Sequence, residues 1–592
     1  MLSQSDQSNV IDNAELAHSP QNNVFSNPEN NNDVPNSEII VIDGQLTTLM
    51  AMKKLTGISV PIMVSFTFSF SMIAIAIFSG HSNSDDDHVA ATTLITVTTN
   101  AIAAIPLTPL TAIGILQSKA FGDWKLLNSE LASDQQNVNL QISYQDKTPE
   151  MSNYNKNGIV VSMLAAALPT LSLIYTKPIL VDVLGQDEHI ADIATDYLKI
   201  YSIAIPALAW RVGAEQPLFS CRQEKAAALI GVVNFSLALG VSYVVCFGAG
   251  NVPSMGLKGV AFGFIAEAYL TAAAYSLYIA FQKDLQPFKF FRRCNFHQQD
   301  LKQIKEILKI GLPMFLTVAN ELGAQVAINS LIGRYGEREL AAQDYLSQFT
   351  FIMYVPRIAL GLAASQEFGR AFGAKQYQDA SCYAKSGIWT AIALILPFVI
   401  AVSIYPEMLE FLITKSNNNL DIEHLLRTVA PISTVGVLLD AMSFVLLQDL
   451  RVVNDNTAPA ILSVSNMWAS VLLGYLLGFK FDLGLTGIAT GYTAGLFSRA
   501  AMLFCRWRKR TTPEALQKTS QQAQQPRSEK STLQAFKDKC SSVFFCCGNR
   551  HTDTQQELLN DEVSNQHHQT YNSQDLIINN NTMHQDTFLT CS

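Results

Sequence analysis

Twelve stretches of this chain are each long and apolar enough to cross a bilayer, and no other feature limits its fold so tightly. They lie at about 55–79, 89–115, 158–183, 194–218, 226–248, 256–281, 308–333, 340–365, 384–405, 426–449, 458–479 and 484–506. A spanning helix needs about 20 predominantly apolar residues. In hydrocarbon the backbone must satisfy its own hydrogen bonds, so each stretch is expected to be a helix. Only 15% of the 592 residues are charged, against about 25% in a soluble protein. The expected class is therefore an all-α membrane protein. Residues 1–50 and 511–592 are polar and rich in Asn and Gln, and both are expected to be disordered tails. Residues 1–50 show no basic stretch before a short apolar core, so no cleavable signal peptide is expected. The nine cysteines show neither zinc spacing nor a disulfide framework. Cys221, Cys246, Cys382 and Cys505 lie in or beside apolar segments and read as small hydrophobes. The net charge of −9 is spread over tails and loops, which implies no nucleic-acid partner.

Loop charge gives the orientation. The loops after the first and third segments, HSNSDDDH and LGQDEHIA, contain no Lys or Arg. The alternate loops carry Lys119, Lys125, Lys147 and Lys156, then Arg222 and Lys225, then Lys283, Lys289, Arg292, Arg293, Lys302 and Lys305. Arg370 and Lys375 follow, and Arg506, Arg508, Lys509 and Arg510 close the series. The positive-inside rule places these loops, and both termini, in the cytoplasm. Arg334 and Arg338 fall on the other side. A plasma membrane or bacterial inner membrane is the expected location.

The chain also repeats itself. GISVP ending at Pro61 opens the first segment, and KIGLP ending at Pro313 opens the seventh. AFGD at 120–123 matches AFGA at 371–374, and GLKGVAFG at 256–263 matches GLTGIATG at 484–491. Pro206 precedes Glu215 by nine residues, as Pro431 precedes Asp440. Each repeat holds six segments, so both insert with the same orientation, and a substrate site is expected between the halves. The expected units are 51–285 and 286–510, with an insertion around 129–156 in the first.

Glu321 sits near the middle of the seventh segment. Thr317, Glu321, Gln325 and Asn329 recur every four residues, so on a helix they form one polar stripe. A carboxylate at the bilayer centre costs roughly 2.5–3.5 kcal/mol on insertion scales, which makes it a functional candidate. Asp440 in the tenth segment and its repeat-mate Glu215 are comparable, and Glu267 lies midway in the sixth. Arg211, four residues before Glu215, is placed to neutralise it along one helix face. Glu267 has no cation at such spacing. Gln343, Ser347, Thr350 and Tyr354 form a stripe on the eighth segment, and Asn234 is a polar position in the fifth. Such stripes arise from helix–helix hydrogen bonding as well as from substrate contact.

In its ordered landmarks the chain resembles the multidrug and toxin extrusion (MATE) family over about residues 51–510. The landmarks are Pro61 leading to Ser79–His81, the KAFGD and RAFGA pair, LAAQ at 340–343 with Pro356 and GLAAS at 361–365, and the carboxylates Glu321 and Asp440. The resemblance implies two six-helix bundles facing each other in a V. It also implies export of organic cations or other amphipathic compounds, driven by inward H⁺ or Na⁺. Its membrane carboxylates of the second bundle map onto Glu321 and Asp440. Many members place an Asp in the first segment where this chain has Ile75, so coupling is expected in the second bundle.

The expected protein is thus a monomeric secondary transporter, not an enzyme, with no resident cofactor or metal. Glu321 and Asp440 are the expected ion-coupling pair. Glu215, Glu267, Asn234, Thr317, Gln325, Gln343 and Tyr354 are the candidates for the cavity. Carboxylates in low dielectric can exchange a proton, or can hold Na⁺ with Thr317 or Asn320 oxygens completing the shell. Organic anions and lipid-linked precursors are the alternative cargo. The sequence has no GxxxxGK[ST] loop for ATP. FFCCGNR at 544–550 offers Cys546 and Cys547 for S-acylation or as plain exposed thiols.

Overall fold

Apolar runs of this length fold as helices, and several of them continue through a proline, as at Pro61, Pro313, Pro356 and Pro431. The computed structural model describes residues 46–69, 108–134, 138–183, 187–249, 252–288, 298–409 and 420–524, with isolated positions among 91–99 and at 290. Ile75, the Ser79–His81 landmark, the first 45 residues and Cys546 and Cys547 lie outside the described residues. Among the described residues every regular element is helical, and eight helices are long and apolar enough to cross a membrane.

The first half contains α1 (Thr48–Ser69), α2 (Ala112–Ser133), α3 (Val138–Ile174), α4 (Glu188–Tyr201), α5 (Ala204–Ser220), α6 (Glu224–Phe247) and α7 (Leu257–Phe281). The second half contains α8 (Gln298–Ile332), α9 (Glu337–Gly373), α10 (Tyr377–Ile404), α11 (Leu420–Val452), α12 (Thr457–Tyr475) and α13 (Gly484–Arg510). The fourth apolar stretch is divided into α4 and α5 just before Pro206, which has no N–H and whose ring crowds the carbonyl of Ser202, whereas its repeat-mate Pro431 lies inside an unbroken α11. The break falls at Ser202–Ile203. Helix α13 is diluted by Gly, Thr and Arg499, yet it packs on α11 and α12 as a full member of the second half.

Packing follows the repeat. α6 lies on α7 as α12 lies on α13, α5 on α7 as α11 on α13, and α2 on α3 as α9 on α10. The region around 129–156, expected as an insertion, is largely helical: α2 runs on to Ser133 and α3 begins at Val138. Its end is tied to the start of α8. Lys156 meets Asp300 at 2.8 Å, and Asn157 donates to Asp300 and to Gln303.

The stretch expected as a disordered tail from 511 includes a helix, α14 (Pro513–Gln524). Thr512 precedes Pro513 at the first helical position and Glu514 in the first turn, a strong start signal. Thr512 Oγ1 accepts from the Ala515 N–H at 3.3 Å, and Leu516 is buried beside α10. A composition-based reading averages over such a short capped turn.

The halves meet where the AFG motifs cross. A side-chain carbon on Gly122 would strike the carbonyl oxygen of Arg370, and one on Gly373 would strike that of Lys119. These pairs are repeat-mates, so the contact has local two-fold character. Two turns reinforce it from matching places. Arg222, at φ 62°, reaches Glu367 at 3.2 Å, and Asn454, at φ 60°, accepts from Lys119 Nζ at 3.3 Å. Glu367 is buried, and Arg370 at 2.7 Å and Lys54 at 3.4 Å also hold it. Arg370 further donates to the carbonyls of Phe219 and Ser220, at 2.9 Å each. Helices α1, α2 and α9 are joined here by ion pairs and backbone contact as well as by apolar packing.

Candidate functional site

In the second half, four helices bring two carboxylates and two guanidiniums together. Glu321 comes from α8, Arg357 from α9, Asp440 from α11 and Arg499 from α13. Arg357 donates to Asp440 through Nη1 and to Glu321 through Nη2, the latter at 3.3 Å. Arg499 Nη2 donates to Glu321 at 2.9 Å and lies 3.4 Å from Asp440. Sequence reasoning singles out the two acids and does not foresee which cations meet them. Two arginines balance the pair, as buried charges require. Both arginines interrupt apolar runs just as Glu321 does, so the same signal marks them. Their distance along the chain hides that they share a site with the acids.

The acids are the accessible part of this cluster. Their side chains are 15% and 18% exposed for Glu321 and Asp440, against 6% for Arg357 and 1% for Arg499. Arg357 also stacks on rings. Its guanidinium carbon lies 4.6 Å from the centre of Tyr354 and 4.9 Å from that of Phe444. Tyr354 is therefore at the site, and Phe444 joins it unforeseen. Thr317 is buried and donates to its own helix at Pro313 O, 2.8 Å, so its hydroxyl hydrogen is spent locally. Gln343 donates to Ser347 on its own helix at 3.3 Å, and Gln325 is half-buried.

The first half builds a different cluster. Arg211 does not turn along its own helix to pair with Glu215. It reaches across to α7 and donates to both oxygens of Glu267, at 2.9 and 3.2 Å. Thr271 adds a second donor to Glu267 at 3.2 Å. An arginine side chain is long enough to choose between a neighbouring helix and its own, and here its Nη1 is shared between both oxygens of the carboxylate across the interface. Glu267 is thus a buried, paired group. Glu215 is 3% exposed and accepts from Ser65 at 2.9 Å. The Ser65 hydroxyl lies 3.4 Å from that of Tyr275. Asn234, on α6, is buried, and its Nδ2 has no hydrogen-bond partner among the described residues. Among those residues no group of three or more His, Cys, Asp or Glu side chains could hold a metal ion.

Comparison with known proteins agrees with this architecture. The MatE family model matches residues 313–476. A probable multidrug resistance protein NorM of Rhizobium meliloti (strain 1021) is 27% identical over 361 residues, covering 59% of this chain and 75% of its own length. A probable NorM of Neisseria meningitidis serogroup B is 24% identical, covering 54% and 69%. Among solved structures, the eukaryotic MATE transporter AtDTX14 superposes with a TM-score of 0.66 at 16% identity, covering 80% of this chain and 99% of its own. A transporter of the MOP superfamily from Pyrococcus furiosus, described as having a binding pocket of reverse polarity, gives a TM-score of 0.65 at 18% identity, covering 80% and 97%. The fold is that of the MATE transporters, with twelve helices in two six-helix repeats.

Proposed function

We propose, from the premise that this chain is a MATE-type secondary transporter, that it exports organic cations or other amphipathic compounds in exchange for inward H⁺ or Na⁺. The observation that carries the reading is the partly open Glu321–Asp440 pair, balanced by Arg357 and Arg499. A cluster with equal numbers of acids and bases has no spare charge for a further cation. A proton or Na⁺ taken up on a carboxylate must weaken a guanidinium pair. Breaking a buried pair costs about 3–5 kcal/mol. Reversing a two-state equilibrium from 1:99 to 99:1 takes about 5.5 kcal/mol. The partly exposed pairs of this cluster are worth less, about 1–2 kcal/mol each, so ion exchange here biases the packing of α8, α9, α11 and α13 and cargo binding supplies the rest. Cargo is taken from the cytoplasmic side, where both termini lie, and the coupling ion enters from outside.

The test is efflux of a fluorescent organic cation from proteoliposomes under an imposed pH gradient and then a Na⁺ gradient. Wild type should export under one gradient, which names the ion, and Glu321→Gln and Asp440→Asn should each abolish export. Full export by both variants would refute the coupling pair.

A second reading keeps the fold and changes the cargo to organic anions or lipid-linked precursors. It is favoured by Arg499, whose Nε and Nη1 donors have no partner among the described residues. Export of an anionic probe in place of the cation would select it.

A further inference from the structure

We propose that three buried glutamines, Gln117 of α2, Gln216 of α5 and Gln366 of α9, form the neck of the passage by which cargo reaches the exchange cluster from the cytoplasm. This rests on the transport reading above and assigns residues to its route. The three side chains are 0%, 0% and 1% exposed. None of their six amide nitrogens and oxygens has a hydrogen-bond partner among the described residues. Two of them meet from opposite halves. A side-chain carbon on Gly114 of α2 would strike Gln216 Oε1 and lie 3.5 Å from Gln366 Nε2. Gln117 follows one turn further along α2, which packs against both α5 and α9.

Position gives the layer its role. Along α9 the order is Arg357, Gln366, Glu367 and Arg370. Nine residues of helix set Gln366 about 13 Å from Arg357 and the exchange cluster. Immediately beyond it, Glu367 meets Arg222, and Arg370 holds the carbonyls of Phe219 and Ser220. The amides thus lie between the exchange cluster and the ion pairs that join the halves, on the side that loop charge assigns to the cytoplasm. Buried polar groups are paired in nearly all native structures. A layer without pairs, where two halves touch, gains its hydrogen bonds when the halves part and water and cargo enter. The ion pairs therefore favour closure here, and the amides favour opening. Carboxamides also carry both donors and acceptors but no charge, so they can bond a passing ion and its water without retaining it as a carboxylate would.

The experiment uses the full chain, in detergent and in proteoliposomes. Gln216→Met and Gln366→Met keep the length of the side chain and remove the unpaired amide, so each should unfold at or above the wild-type temperature. Gln448→Met is the comparison. Gln448 Oε1 accepts from Arg451 Nη1 at 2.8 Å, so this variant should unfold below wild type. Export of the fluorescent organic cation by the first two should fall about fivefold or more, because the closed form gains population. Opening is also read without cargo. In detergent, Gln366→Cys should react with N-ethylmaleimide in the folded chain, followed by mass spectrometry of its peptide. Adding Gln216→Met should slow that reaction about fivefold or more. The inference is overturned if Gln216→Met and Gln366→Met unfold below wild type, or if they export at the wild-type rate. It is equally overturned if the introduced thiol stays unreacted or reacts at a rate indifferent to Gln216→Met. Should wild type export nothing under either gradient, the transport reading fails by itself, and the thiol reaction decides whether the layer opens.

Discussion

The two halves place a carboxylate at the same repeat position, Glu215 in α5 and Asp440 in α11, and then surround it differently. In the first half one guanidinium, Arg211, serves two acids and is committed to Glu267. Glu215 is left with Ser65 as donor. In the second half two guanidiniums serve two acids, and the acids are partly open. An internal repeat thus preserves backbone and helix packing while charge balance and access diverge. The first cluster has the surplus acid but is closed. The second is balanced, and its acids are partly exposed.

Arginine removal should separate the clusters most. Arg211→Ala leaves Glu215 and Glu267 with no base and should cost about 3–5 kcal/mol of stability. Arg499→Ala leaves Arg357 in place and should cost less, about 2–3 kcal/mol, still an unpaired buried charge. Thermal unfolding of both in one detergent checks the order, and the reverse order would break the comparison.

At the motif crossing the halves are alike, so the costs should match. Gly122→Ala and Gly373→Ala each drive a methyl group against backbone carbonyl oxygen, of Arg370 and Lys119 respectively. Each should cost about 1–3 kcal/mol by overpacking. A melting series showing only one of them destabilised would deny the local two-fold contact.

The repeat-mate acids should differ in sign. Asp440→Asn strands a guanidinium and should destabilise by about 1–2 kcal/mol, reduced by its partial exposure. Glu215→Gln brings the first cluster to charge balance and should be neutral or stabilising. Calorimetry on the two single variants reads this directly. Ser65→Ala should cost about 1 kcal/mol, for one hydrogen bond to a buried acid.

Much of this was legible before any coordinates. Apolar length revealed the spanning helices, and a charge inside such a run marked Glu321 and Asp440. Matching prolines and AFG motifs revealed the parallel repeat. What was not legible is partner choice. Helical spacing pairs Arg211 with Glu215, but the side chain crosses to α7. No spacing rule connects Arg357 in α9 with Arg499 in α13, because their meeting depends on four helices packing together. Helix α14 was hidden because a Thr-Pro-Glu start in a Gln-rich stretch is a local signal inside a polar average.

The most direct measurement compares Asp440→Asn with Glu215→Gln for gradient-driven efflux of a fluorescent organic cation in proteoliposomes, at matched protein incorporation. The account predicts that Asp440→Asn abolishes export while Glu215→Gln keeps most of it, because the partly exposed, ion-paired cluster of the second half carries the exchange. Export that survives Asp440→Asn and is lost in Glu215→Gln would contradict it and move the coupling site to the first half.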